Sequence, residues 1–390
     1  MGVAFKTQGK LTEAIEAYNN ALSINPNYAE VHSNLGSIFQ SQGKQEAAIQ
    51  AYSKAINIRP DYAEAYNNMG LALRYHGKLG DAVEAFNKAL TIKPDYAEVK
   101  ASLVELLKTY IPKNIHDNPL ITINDKIRSG DNQINLKRSN FELAKKVVVL
   151  LKEIQTVDSS LETKFTQIYR RNNVDLNCKR HTSIFQQESI IPEFCFGCYK
   201  VQVEVGNVLD LIRLTCIFYK IEFNIDYTRK CLIELRPQVP GFYKGLIYCR
   251  GAHQANSVKQ QLDEYLKITN ITCQTKIKRG CSEFSLAFPK YGKIEESDNE
   301  EMTYPQGWQF LENKFDEKYI SEAKMFINTS IKQFCLSDFL IIQTWIDYAK
   351  GLSDPTSKYF DNLTVKYAEI FKTAHLRASV EKQKTGIVTK

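Results

Sequence analysis

The four residues Asp61-Tyr62-Ala63-Glu64 decide the fold of the first quarter of the chain, because near copies of them stand 34 residues earlier and 34 residues later. Prolines, alanines and glycines recur with the same period: Pro26, Pro60 and Pro94; Ala14, Ala48 and Ala82; Gly9, Gly43 and Gly77; Gly2, Gly36 and Gly70. Agreement of many positions at one fixed period indicates a stack of similar units and argues against unrelated amphipathic helices.

Each unit is predicted to be a pair of helices joined by a tight turn. Gly36 has no side chain, so the paired helix can approach the first helix closely. Ala48, Tyr52 and Ala55 recur at helical spacing and form the apolar stripe of the second helix. Pro60 ends that helix because proline cannot continue the hydrogen-bond ladder.

The units resemble the tetratricopeptide repeat over about residues 1–110, and they are most similar to the arrays of O-GlcNAc-transferase-type proteins. The residues that carry the resemblance are Tyr62-Ala63-Glu64-Ala65-Tyr66-Asn67-Asn68-Met69-Gly70. The resemblance implies an α-solenoid whose concave groove binds an extended peptide. It also implies that the second asparagine of each pair, Asn34 and Asn68 here, hydrogen-bonds the peptide backbone. Ser33, Asn67 and Arg74 complete the predicted peptide-binding set.

Two complete and two partial units are expected. In the last unit Ser102 stands at the groove asparagine position and Val104 stands at the helix glycine position, so this unit is predicted to cover the end of the stack. The first unit begins inside the repeat at Gly2, so we expect either a fragment or a start within a longer array. A groove formed by so few units is expected to be shallow, so only a short peptide would fit it.

Composition places limits on the whole chain. Its 390 residues suggest two or three domains, and an apolar content of 43% is ample for packed cores. The formal net charge of +7 permits an anionic partner without requiring one. We find no apolar run of membrane-spanning length and no signal segment. All nine cysteines lie between Cys178 and Cys335, which predicts reduced thiols in a cytoplasmic protein.

The chain after the repeats is predicted to be a linker over 111–139 followed by an α+β domain over 140–390. A helix is expected to begin with Asn140 as its cap, and a second helix is expected from about Ser159 to Arg171. Helical extensions are predicted over 305–380, and residues 282–304 are predicted to be loop.

The core of the second domain is predicted over 198–280. Alternating apolar and polar residues indicate strands over about 199–205, 231–235, 245–250 and 271–277, with helices after the first and third of them. The order β-α-β-β-α-β is typical of a ferredoxin-like sandwich, with both helices on one face of an antiparallel sheet.

The strongest candidate for a metal site consists of two pairs of potential ligands: Cys178 and His181, then Cys195 and Cys198. Two residues between the ligands of each pair is the usual spacing of a tetrahedral zinc site. An iron–sulfur cluster on the same ligands is an alternative. The competing interpretation is that the cysteines are small buried apolar residues.

The sheet face opposite the helices is predicted to be basic. It would present these residues: Lys200, Gln202, Arg236, Tyr248, Arg250, Lys276 and Lys278. Tyr248, Arg250, Lys276 and Lys278 are therefore candidate nucleic-acid contacts, because RNA-recognition sheets stack bases on such a surface. A sheet face that is covered or simply hydrated explains the same pattern.

Cys281 is a candidate nucleophile, because Lys278 and Arg279 precede it and cations favour the thiolate. An ordinary cysteine at a strand end is the alternative. We find no Walker loop, no Rossmann glycine fingerprint and no His-Glu-x-x-His pair.

The sequence predicts an adaptor that binds a peptide or protein through its repeats and carries an effector domain. One alternative is an enzyme, such as a transferase, that acts on a client brought by the repeats. The other alternative is an RNA-binding adaptor that uses the basic sheet face.

Overall fold

The computed structural model describes residues 1–113, 117–129, 138–170, 178–237, 239–269, 271–281, 284, 287–289, 304–319 and 333–385. The predicted loop over 282–304 lies almost wholly outside these residues.

The first part of the chain is a helical solenoid, as the repeat predicted. Its helices are α1 (Gly2–Thr7), α2 (Leu11–Ile24), α3 (Ala29–Ser41), α4 (Gln45–Ile58), α5 (Ala63–Tyr75), α6 (Leu79–Ile92) and α7 (Ala97–Leu106). The buried stripe of α4 is the predicted one, with Ala48, Tyr52 and Ala55 all fully buried.

Two kinds of glycine shape each repeat. Gly43 lies in the turn between α3 and α4 with a φ of +74°, which glycine adopts without steric cost. Gly36 lies inside α3, where an added Cβ would stand 2.7 Å from the ring of Tyr52. Close packing of the two helices therefore depends on the missing side chain.

The segment predicted to be a linker contains a packed helix, α8 (Pro119–Arg128). Asn118 caps it by accepting a hydrogen bond from the Leu120 amide, and Ile121 and Ile127 are 1% exposed. The linker prediction is therefore wrong for these residues. The next helix, α9 (Asn140–Val157), begins where expected, but its cap is Ser139, which forms a capping box with Glu142.

The second domain contains a five-stranded antiparallel sheet. Its strands are β1 (Gln167–Arg170), β2 (Cys198–Val205), β3 (Arg229–Ile233), β4 (Tyr243–Arg250) and β5 (Cys273–Arg279), in the spatial order β1-β3-β4-β2-β5. The four predicted strands are all present. The helix expected from Ser159 to Arg171 is wrong, because its last residues form β1 and pair with β3.

The remaining helices surround the sheet. They are α10 (Cys178–Glu188), α11 (Glu193–Phe196), α12 (Val208–Lys220), α13 (Gly251–Lys267), α14 (Gln306–Tyr319), α15 (Leu336–Leu352) and α16 (Ala368–Thr385), with a 3-10 turn at Ser357–Phe360. Both α12 and α13 contact the sheet. Helix α15 lies within the predicted helical extensions and is buried on all sides, so it is a central core helix.

The repeat array and the second domain share one hydrophobic core. Polar contacts join them as well: Lys100 of α7 pairs with Asp158 at 2.6 Å, and the Ser337 hydroxyl of α15 donates to Glu105 at 3.3 Å. The last unit, which contains α7, is therefore held against the second domain. Among the described residues, no helix is both long enough and apolar enough to cross a membrane.

Candidate functional site

The concave side of the repeat array is the predicted peptide groove. Helix α5 contacts both α3 and α7, so the first helices of successive units line the inner side. Asn34 of α3 and Asn68 of α5 stand at equivalent positions, and both are half-buried. Within the described part of the chain, neither side-chain amide has a hydrogen-bond partner. Both amides are therefore available to a ligand.

Ser33 and Asn67, the other asparagine-pair positions predicted to join this set, are largely buried. Ser33 is 6% exposed and Asn67 is 2% exposed. Asn67 hydrogen-bonds Tyr96, which partly offsets the rise in the Tyr96 pKa that burial causes. The hydrogen bond between Asn67 and Tyr96 joins two successive units.

Arg74 also stands on a first helix. It is half-buried, and no described residue forms an ion pair with it. At the equivalent position of the next repeat, Lys108 pairs with Glu105 at 2.8 Å and lies over the ring of Phe165. The cation of the last unit is thus engaged by its own chain, whereas Arg74 in the preceding unit has no ion pair with a described residue.

The predicted metal ligands occupy a packed region at the start of β2. Cys195 and Cys198 are buried, and the His181 ring stacks on Phe194 with centroids 5.3 Å apart. No group of three or more His, Cys, Asp or Glu residues suited to a metal occurs among the described side chains. The Cys178 side chain lies outside that set, so the zinc site and its iron–sulfur alternative stay predictions.

The sheet has one face against the helices and one face away from them. An added Cβ at Gly245 would stand 2.6 Å from Leu214 of α12, so Gly245 and its partner Val203 face the helices. The opposite face carries the neighbouring positions, and the predicted residues Tyr248, Lys276 and Lys278 lie on it. Lys200 and Gln202 lie there too, but they are only 7% and 4% exposed. Strand β2 is therefore largely shielded from solvent on this face.

Ion pairs neutralise part of that face. Glu204 pairs with Lys276 at 3.2 Å, and Glu234 pairs with both Lys244 and Arg236. Lys278 has no ion-pair partner among the described residues, and burial together with Lys276 and Lys200 lowers its pKa. Whether this face contacts nucleic acid stays a prediction.

Cys281, the candidate nucleophile, is half-buried. The ammonium of Lys200 donates a hydrogen bond to its sulfur at 3.1 Å. Sequence proximity suggested Lys278 and Arg279 as the neighbouring cations, whereas strand pairing brings Lys200 to the thiol. Cys249 at the end of β4 is buried, and burial raises its pKa to about 12.

Two residues that the sequence patterns did not single out, Lys230 and Phe194, complete the surroundings of Tyr248. Lys200 and Lys230 place their ammonium groups 5.1 and 5.8 Å from the centre of the Tyr248 ring. Arg250 lies over Phe194 at 5.2 Å. Lys230 was detectable, because it alternates with buried Arg229 and Cys231. Phe194 had no comparable signal.

Comparisons with known proteins find matches in the repeats. A family model described as "TPR repeat" matches residues 2–43 and 36–74, and one described as "Tetratricopeptide repeat" matches residues 63–96. A search of curated proteins finds no match.

Solved structures resemble the repeat region. The first TPR of Spaghetti (RPAP3), bound to an HSP90 peptide, is 25% identical over 27% of this chain and 83% of its own, with a TM-score of 0.27. The second TPR domain of human RPAP3, in complex with an HSP70 peptide, is 26% identical over 27% of this chain and 88% of its own, with a TM-score of 0.26. MamA is 20% identical over 41% of this chain and 75% of its own, with a TM-score of 0.28. Scores this low support no further argument.

Proposed function

We propose, from the premise that residues 2–96 of this chain are tetratricopeptide repeats, that the chain is a protein-interaction adaptor. Its complete repeats would hold a short extended peptide. One observation carries this proposal: Asn34 and Asn68 stand at equivalent positions on α3 and α5 with unoccupied, half-exposed amides. Each amide offers a donor and an acceptor, which matches the N–H and C=O groups of a peptide backbone.

Arg74 adds a preference for acidic peptides. Its guanidinium has no ion pair with a described residue, and a carboxylate is the natural bidentate partner of such a group. The peptide SRMEEVD, which the first TPR of Spaghetti binds, is a convenient acidic probe for this part of the groove.

The second domain would support the repeat array by packing against its last unit. We infer a ferredoxin-like core for it, supported by the order β3-β4-β2-β5 and by the crossovers α12 and α13. The short β1 extends that sheet at the β3 edge. The transferase and RNA-binding alternatives stay predictions.

Peptide selection tests the adaptor proposal. A displayed library of random short peptides, together with SRMEEVD, is presented to the purified protein, and the affinity of each enriched peptide is measured by fluorescence anisotropy. The Asn34→Ala/Asn68→Ala double variant should bind at least about tenfold more weakly, because each lost hydrogen bond contributes about 1 kcal/mol.

The matched control is Asn20→Ala/Asn57→Ala, which removes two exposed asparagines from the second helices α2 and α4. Its affinities should equal those of the wild type. Enrichment of no peptide, or equal binding by both double variants, would overturn the proposal.

A further inference from the structure

We propose that a cleft at the end of β4 binds a small organic anion with an apolar body and a carboxylate or phosphate group. The cleft lies in the second domain, next to the start of α13, and does not involve the repeats. It is defined by the walls Phe194, Ile225, Tyr227 and Tyr248, with Arg250 at its mouth.

The size and walls of the cleft select the apolar body. Its volume is about 110 Å³. A cavity of ~150 Å³ lined by apolar side chains holds a benzene ring, so this cleft accepts at most one ring or one branched chain. Tyr227 is 9% exposed and forms the floor, whereas Ile225 is 53% exposed and forms the rim. The rim is therefore an apolar surface that a ligand would cover.

Arg250 selects the anionic group. Its side chain is exposed, and no described residue forms an ion pair with it. The guanidinium lies 5.2 Å from the centre of the Phe194 ring, and His181 stacks on that same ring. The cation is thus held at the cleft without a neutralising partner, and its planar fork suits two oxygens of a carboxylate or phosphate.

Other charges around the cleft agree with an anionic ligand. The ammonium groups of Lys200 and Lys230 approach the Tyr248 ring at 5.1 and 5.8 Å. Asp226 also lines the cleft, but its carboxylate already pairs with Arg170 at 2.9 Å and with Arg229 at 3.6 Å. The acid is therefore neutralised, and the surroundings are positive overall.

The test uses three probes of one shape. Phenylacetate and phenyl phosphate carry the two candidate anions, and phenylacetamide is the uncharged isostere of the first. Affinities for the full chain are measured by ligand-observed NMR and calorimetry. We expect at least one anion to bind about tenfold or more tightly than the amide, and the stronger of the two identifies the oxyanion that Arg250 prefers.

Two variants separate the charge from the cleft. Arg250→Gln should weaken anion binding about tenfold or more and leave amide binding unchanged. Ile225→Trp fills the cleft from an exposed position and should abolish binding of all three probes. The control Lys267→Gln removes an exposed cation at the far end of α13 and should change nothing.

Three results would overturn the proposal. The first is the absence of binding by both anions at millimolar concentration. The second is equal anion binding by wild type and Arg250→Gln. The third is a loss of anion affinity in Lys267→Gln as large as the loss in Arg250→Gln. Such a result would mean that the anions respond to the overall positive charge and not to the cation at the cleft. None of these results depends on the peptide groove, so the adaptor proposal stands or fails separately.

Discussion

Arg170 of β1 and Arg229 of β3 lie directly opposite each other, and both donate hydrogen bonds to the carbonyl oxygen of Phe218, at 3.2 and 2.8 Å. Arg229 also donates to Ile221 at 2.7 Å. These carbonyls belong to the C-terminal end of α12, where the helix dipole is negative. The two buried cations therefore join the sheet edge to the helix that crosses it. Burial, with a contribution from Arg170, lowers the pKa of Arg229 to about 9.

Arg229→Met should destabilise the protein by about 2–3 kcal/mol, because two buried carbonyls lose a charged donor. Urea unfolding followed by circular dichroism measures the change. The control is Lys230→Met, whose half-buried ammonium lies on the other face of the same strand and should cost less than ~1 kcal/mol. Equal losses of unfolding free energy in the two variants would show that the hydrogen bonds from Arg229 to the end of α12 add no specific stability.

Glu234 should make stability depend on acid pH. Burial alone would raise its pKa, but hydrogen bonds from Arg236 and the charges of Lys244 and Arg236 outweigh burial and lower the pKa to about 2. A lowered carboxyl pKa contributes stability above the ordinary value of 4.5, and that stability is lost as the pH falls toward 2. The shift corresponds to about 3 kcal/mol.

Comparison of wild type with Glu234→Gln measures that contribution. The difference in unfolding free energy should be full at pH values above about 4.5 and should shrink toward zero near pH 2, because glutamine resembles the protonated acid. The exposed Glu264→Gln serves as the control and should show a small difference throughout. A difference for Glu234→Gln that does not change with pH would contradict the assignment.

Gly70→Ala should destabilise the repeat array by about 1–3 kcal/mol through overpacking. The added Cβ would stand 2.7 Å from the ring of Phe86 on the paired helix. Gly197→Ala is the matched control, because nothing lies within 4 Å of its added Cβ and its φ of −87° suits any residue. Thermal unfolding measures both variants, and a neutral Gly70→Ala would show that the two helices can separate without cost.

Cys281 should react with iodoacetamide before Cys216 and Cys231 in the native protein. Cys281 is half-buried, whereas the other two are buried and burial raises the pKa of each to about 12. Mass spectrometry of timed samples gives the order of labelling. The Cys281→Ser variant should lack the first labelled product. In urea, where the protein is unfolded, the three cysteines should be labelled at similar rates. Early labelling of Cys231 would contradict the packing of α12 on β3.

The second domain shows where local patterns mislead. Asn118 and Pro119 suggested a break in regular structure, yet they are the cap and first residue of α8. Strand β1 has four residues, too few for a clear alternation, and it exists because β3 offers a partner about 60 residues later. In the groove, the period places Ser33 and Asn34 in register with Asn67 and Asn68, but it does not show that Ser33 and Asn67 are buried.

The sequence by itself determined the solenoid, since each of the first three units carries its own glycine turn, alanine stripe and terminal proline, and these act over short range. It also determined the four longer strands, whose alternation is local. Only the tertiary structure decided the contacts that depend on distant partners. These include the two arginines on the end of α12, the attachment of the last repeat unit to the second domain, and the meeting of Phe194, Ile225 and Arg250 around one cleft. Such contacts join residues far apart in the chain, and no local period encodes them.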